Sequence, residues 1–191
     1  MAGGNLAAGS LCPLRRPLRP ERKSATVADI PMPGHDALPI SWRSATAADA
    51  AFCFSVYAGT RAEELAAWGW DAAQQEIFLK MQFAAQAASY RAAFPGALHA
   101  IVLCRDQPVG TLTVNQTAEE IRLIDLALLP EHRGAGLGTG VIFRLQTEAH
   151  GSGRPLRLRV LKTNRAARLY ARLGFIATGG DEMYADMASH A

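Results

Sequence analysis

Hydrophobic and polar positions change period several times along this chain of 191 residues, and the changes mark its elements. Residues 1–39 show no sustained apolar period and are interrupted by Pro13, Pro17, Pro20, Pro31, Pro33 and Pro39. We read them as a flexible extension, and residues 40–191 as one folded domain. Ile40 to Ser44 predicts a short strand. Thr46 followed by Asp49, and Asp71 followed by Gln74, are helix-start signatures, because their side chains can satisfy the free amides of a first turn. The first helix is expected to carry Phe52, Cys53 and Val56 inward and to break at Gly59-Thr60, with a second short helix from Arg61 to Trp68. A long helix then carries Ile77, Phe78, Met81, Phe83 and Tyr90 to about Ala93, where Pro95-Gly96 ends it.

The second half alternates more regularly. Leu98 to Cys104 and Val109 to Asn115 flank a turn at Arg105 to Pro108, which predicts a hairpin. Glu120 to Leu129 is nearly continuous in apolar residues and reads as a central strand stopped by Pro130. A glycine-rich segment opens a helix that runs to about Ala149. Leu156 to Val160 is a strand, and Asn164 to Leu173 a helix closed by Gly174. Phe175 to Thr178 and Met183 to Met187 are two last strands. The sum is an α/β arrangement on one mixed sheet.

Charge and composition narrow the classes. The net charge is +3, but residues 1–40 hold five basic groups against three acids, so the body is nearly neutral. That excludes a general nucleic-acid surface. Residues 151–175 nevertheless carry seven basic side chains and no acid. No apolar run reaches the ~18 residues that span a membrane. The longest candidate, Ala84 to Ala93, is broken by Gln86, Ser89 and Arg91. Cys12, Cys53 and Cys104 are scattered and suit neither a disulfide framework nor a metal site. With no secretory signal pattern at the N-terminus, a reducing cytoplasm is the expected location.

The chemistry concentrates at Arg133-Gly134-Ala135-Gly136-Leu137-Gly138. The first amides of a helix have no internal partner, and the helix dipole adds positive potential there. Glycines let phosphate oxygens approach the main chain. The order Gly-x-Gly-x-Gly-x-Gly, ending at Gly140, fits neither a dinucleotide fingerprint nor a Walker loop.

Residues 126–138, with Arg133, Gly136 and Gly138 at the Arg-x-x-Gly-x-Gly positions, resemble the acetyl-coenzyme A signature of the GNAT N-acetyltransferases. Asn164 to Phe175 is similar to that family's second motif, with Asn164, Ala167, Tyr170, Gly174 and Phe175 in place. The resemblance covers roughly residues 98–187. It implies the GNAT fold, a central mixed and largely antiparallel sheet flanked by helices. It also implies direct acetyl transfer to a primary amine in a ternary complex, without a metal.

Residue by residue, the resemblance implies that amides of Arg133, Gly134, Ala135, Gly136, Leu137, Gly138 and Thr139 bind the pyrophosphate. Leu126, Ala127 and Leu128 would pair with the pantetheine arm as with an extra strand. Asn164 and Arg168 would contact the cofactor, and Tyr170 would donate a proton or a hydrogen bond to the leaving sulfur. Glu64 and Trp68 are candidates on the acceptor side, since an acid with an aromatic suits an amine. Glu63, Glu64, Glu119, Glu120 and Asp125 are candidate bases, and none is assigned. Alternation puts Glu120, Arg122, Ile124, Leu126 and Leu128 on one strand face and Asp125 on the other. The acceptor stays open among small amines, aminoglycosides, protein N-termini and lysines. The family often forms homodimers. A non-catalytic acyl-coenzyme A sensor and an interaction module are the alternatives.

Overall fold

The structure, a computed structural model, describes residues 39–189. The expected extension over residues 1–39 therefore lies, except for Pro39, outside the described residues. Among these residues seven strands form one sheet: β1 (Ile40–Ser44), β2 (Leu98–Cys104), β3 (Gln107–Gln116), β4 (Ile121–Leu128), β5 (Leu156–Leu161), β6 (Ile176–Gly180) and β7 (Tyr184–Ser189). Their order is β1-β2-β3-β4-β5-β7-β6. The β4–β5 neighbours are parallel and every other pair is antiparallel. Among the described residues, four α-helices flank the sheet: α1 (Ala50–Ala66), α2 (Ala72–Ala93), α3 (Leu137–Gly151) and α4 (Ala166–Arg172).

Local chemistry explains several boundaries. Asp71 Oδ1 accepts from the Gln74 amide at 2.8 Å, and Gln74 Oε1 accepts from the Asp71 amide at 3.1 Å, so α2 starts on a reciprocal cap. Arg105 and Asp106 both take positive φ, 49° and 65°, and close the β2–β3 hairpin in two residues.

Other expectations need correction. The break predicted at Gly59-Thr60 does not occur: α1 runs unbroken from Ala50 to Ala66. A glycine inside a helix costs about 1 kcal/mol relative to alanine. Here its bare face admits Pro130, whose Cδ would lie 3.0 Å from any Cβ on Gly59. Arg133 Nη2 also donates to the Gly59 carbonyl at 3.1 Å, which ties the site to its surroundings. The long helix runs as expected to Ala93; on it Ile77 and Met81 are 71% and 59% exposed, whereas Leu79 is buried.

The main core lies between the sheet and α3 with α4. It contains Ile121, Leu123, Leu126, Leu128, Val141, Ile142, Leu145, Leu158 and Tyr170. Buried Gln146 is satisfied by the Leu173 carbonyl at 2.7 Å and by Ser189 Oγ at 2.9 Å, which joins α3 to the end of α4 and to β7. Helix α1 lies against β3 and β4. It builds a smaller aromatic core with α2, in which Phe83 packs 5.8 Å from Phe54 and 5.3 Å from Tyr57, centroid to centroid.

Candidate functional site

Strand β4 decides the site's geometry. On the β3 side its pairing runs from Ile121 to Leu128. On the β5 side only Ile121, Arg122 and Leu123 are paired, with Leu156, Arg157 and Leu158. Beyond Leu123 the two parallel strands part. Leu126, Ala127 and Leu128 thus present a strand edge that β5 does not use, and such an edge can accept an extended amide chain.

The same strand carries a bulge. Thr113 pairs with Asp125, but the next β3 residue, Val114, pairs with Leu123, so Ile124 is an extra residue on β4. A bulge shifts the side-chain alternation by one. Ile121 and Leu123 consequently share the α3 core with Leu126 and Leu128. The expected alternation, which grouped Arg122 and Ile124 with Leu126 and Leu128, holds only locally because it assumed an unbroken period of two. Asp125 does lie on the face opposite Leu126, together with Ala127.

The glycine segment follows β4 directly. Pro130–His132 forms one 3-10 turn, after which Gly134 and Gly136 take φ of 78° and 81°. A side chain would be strained in that region. Gly136 is the N-cap of α3 and supplies no side-chain cap. The first helical hydrogen bond recorded there runs from the Gly140 amide to the Gly136 carbonyl at 2.9 Å, so the Leu137, Gly138 and Thr139 amides precede it. Gly134, Ala135 and Gly136 are exposed, while Leu137 and Gly138 are buried. Gly140 has a different cause: a Cβ there would collide with Ile40 Cδ1 of β1, so this glycine serves packing. The Arg133 side chain is also engaged inside the protein. It donates from Nε to the Leu128 carbonyl at 3.0 Å and from Nη2 to Gly59, and it locks the end of β4 to α1.

Asn164 Oδ1 accepts from the Ala166 amide at 2.9 Å, so this side chain starts α4. Arg168 is exposed on α4. Among the seven basic residues between 151 and 175, Arg154, Arg157 and Arg159 serve structural contacts. Arg154 donates to the Thr117 carbonyl at 2.7 Å, and Arg157 pairs with Glu120 at 3.1 Å. Arg159 pairs with Asp186 and Asp181 and lies over the Tyr184 ring. Tyr170 is 4% exposed, with its ring 5.6 Å from Phe175. Burial, and secondly the Asp125 charge, push its phenol well above the usual range.

On the opposite face of the sheet, under α1 and α2, lies a cavity of about 220 Å³. Its floor is a row of residues in register across three strands: His99 pairs with Thr113, and Thr113 with Asp125. His99 Nδ1 lies 3.0 Å from Thr113 Oγ1, and its Nε2 lies 3.6 Å from Cys53 Sγ. Burial lowers the imidazole's pKa, which favours the neutral ring. Tyr57, Phe83, Tyr90 and Phe94 contribute aromatic walls. Asp125 Oδ1 is shut off from solvent and has no hydrogen-bond partner, and among the described residues no ion pair reaches this carboxylate. Desolvation raises its pKa from 3.8 to about 7. A carboxyl group poised near neutrality at the floor of a cavity can take a proton from a bound amine.

Glu64 and Trp68 do not line this cavity. Glu64 is exposed and paired with Arg61 at 2.8 Å. Trp68 packs edge-on against Trp70 and Phe78 at 5.0 and 5.4 Å, on a separate aromatic patch. Sequence reasoning passed over Tyr57, Tyr90, His99 and Thr113. No local motif marks them, because only strand register and helix packing bring them to Asp125.

Comparison with known proteins agrees with this geometry. Residues 95–177 match the acetyltransferase (GNAT) domain. No curated protein matches the chain. The acetyltransferase from Thermus thermophilus is 19% identical with a TM-score of 0.60, over 81% of this chain and 99% of that one. The PaiA N-acetyltransferase of Thermoplasma acidophilum, solved in complex with coenzyme A, is 16% identical with a TM-score of 0.58, over 80% and 99%. The ribosomal-protein-S18-alanine N-acetyltransferase of Escherichia coli is 20% identical with a TM-score of 0.55, over 79% and 93%. These likenesses establish the fold. The described residues contain no helix long and apolar enough to cross a membrane.

Proposed function

We propose that this chain, which belongs to the GNAT acetyltransferase family through residues 95–177, transfers acetyl from acetyl-coenzyme A directly to a primary amine. The carrying observation is the position of one carboxyl oxygen, Asp125 Oδ1, buried and without a hydrogen-bond partner beside a free strand edge: Asp125 precedes Leu126 to Leu128 on β4. The donor would lie along that edge, with its pyrophosphate at the amides of residues 133–139. Asn164 and Arg168 at α4 would flank it. The acceptor would enter from the α1–α2 side.

Acetyl-coenzyme A supplies an activated thioester carbonyl. Asp125 takes one proton from the bound ammonium and frees the nitrogen lone pair. The nitrogen attacks the carbonyl carbon, the C–N bond forms and the C–S bond breaks. The second nitrogen proton goes to the departing sulfur through water, and the proton on Asp125 returns to solvent. Tyr170 holds its proton more tightly than a thiol of pKa about 8.5. Its role is therefore to donate a hydrogen bond to the thiolate rather than to surrender a proton. The free thiols of Cys53 and Cys104 suit a reducing compartment such as the cytoplasm.

Calorimetry with acetyl-coenzyme A, followed by thiol release with an amine panel, tests the reading. Saturable binding and amine-dependent thiol release are expected. Tyr170→Phe should keep binding and lose about ten-fold in kcat, the order expected for one hydrogen bond made in the transition state. No binding at hundreds of micromolar ends the proposal.

A further inference from the structure

We infer that the acceptor is a small monoamine with an apolar body, and the inference rests on the acetyl-transfer reading above. Four features of the cavity converge on this class. Its volume of about 220 Å³ is below the ~300–1,000 Å³ typical of sites for drug-sized ligands. An acceptor as large as an aminoglycoside or a peptide end would leave most of its body outside.

The walls are the second feature. Tyr57, Phe83, Tyr90 and Phe94 face the cavity, with Ala87 and Ala127 leaving room between them. Such a lining favours a flat aromatic or branched aliphatic body over a hydroxylated one, since buried hydroxyls without partners are costly.

The charges are the third. Asp125 Oδ1 has no partner inside the protein, and a bound ammonium supplies the missing donor. A carboxylate next to the amine, as in an α-amino acid, is brought against Asp125 and repelled. Arg91, exposed at the end of α2, also lines the cavity. It repels a second ammonium, which disfavours polyamines. The polar strip is the fourth: His99, Thr113 and Cys53 bond among themselves, so these three side chains make no demand for a second polar group on the ligand.

The test is a series of acceptors at fixed acetyl-coenzyme A, read as kcat/KM from thiol release. Benzylamine, 2-phenylethylamine and isoamylamine are compared with ethylamine, spermidine, kanamycin, phenylalanine and an alanine-led hexapeptide. The apolar monoamines should lead, with each added buried methylene raising kcat/KM about four-fold until the cavity is full. Phenylalanine should fall at least ten-fold below 2-phenylethylamine. Ala87→Trp fills the space between the aromatic walls, so it should cost 2-phenylethylamine ten-fold or more and leave the acetyl-coenzyme A Kd within two-fold. A lead for spermidine, kanamycin or the peptide overturns this inference while acetyl transfer stands. Absence of both acetyl-coenzyme A binding and thiol release overturns the underlying reading, and this inference with it.

Discussion

The two sides of β4 solve different problems with different parts of the chain. On the donor side the working groups are main chain: the edge of Leu126 to Leu128 and the amides that open α3 after Gly136. On the acceptor side they are side chains, gathered from α1, α2 and three strands around Asp125. A main-chain site depends on where elements begin and end, and on glycines that permit positive φ. A side-chain site depends on register, and one extra residue redirects it. The largest expected effect tests whether the halves are separable. Asp125→Asn keeps the shape and removes the base, so kcat should fall by about 10²–10⁴-fold. The acetyl-coenzyme A Kd should stay within two-fold, as read by calorimetry. A comparable loss of donor binding shows that the two halves form one site.

The reciprocal change works on the donor side. Gly136→Val places a β-branched residue at φ 81° and projects its side chain where an anion approaches. The αL strain is about 1–2 kcal/mol. The acetyl-coenzyme A Kd should weaken by on the order of ten-fold or more, while the acceptor KM at saturating donor changes less than two-fold. Unchanged donor affinity in a folded variant argues that the pyrophosphate binds elsewhere.

The same contrast explains what the sequence could disclose. The hairpin, the central strand and the glycine-opened helix were legible because each is marked by contiguous residues. Arg105 and Asp106 form the turn, Pro130 stops the strand, and Gly136 caps the helix. The unbroken α1 was not legible, because what stabilises Gly59 in the helix is Pro130 and Arg133, more than seventy positions away. The bulge at Ile124 was hidden for a related reason. A run as apolar as Ile121 to Leu128 reads the same in either register, and only pairing with Val114 and Thr113 shows the shift. Glu64 and Trp68 drew attention as an acid beside an aromatic, yet their neighbours are Arg61 and Phe78. His99 carried no signal at all, since its meaning comes from Thr113 and Asp125 across the sheet.

A third expected effect is on stability, and its sign follows from the same carboxyl group. Asp125 ionises at about 7 in the folded protein and at the ordinary 3.8 when solvated. Its folded pKa is raised, so between these values the folded chain holds a proton that the unfolded chain has lost. Stability from this group therefore falls as pH rises from about 4 to 7 and is then level. His99 contributes with the opposite sign, because burial lowers its pKa. Tyr57, Tyr90 and Tyr170, all raised by burial, stay neutral across this window. Comparing wild type with Asp125→Asn cancels these neighbours to first order. Denaturation of both proteins should show the variant gaining on wild type by on the order of 2–4 kcal/mol between pH 5 and pH 8. For wild type, kcat/KM should rise with pH on a limb near 7, with any further ionisation of the acceptor amine appearing above it. A variant that gains no stability at pH 8 shows that Asp125 is solvated in the folded state. The acceptor cavity then lacks the buried charge that sets it apart from the donor edge.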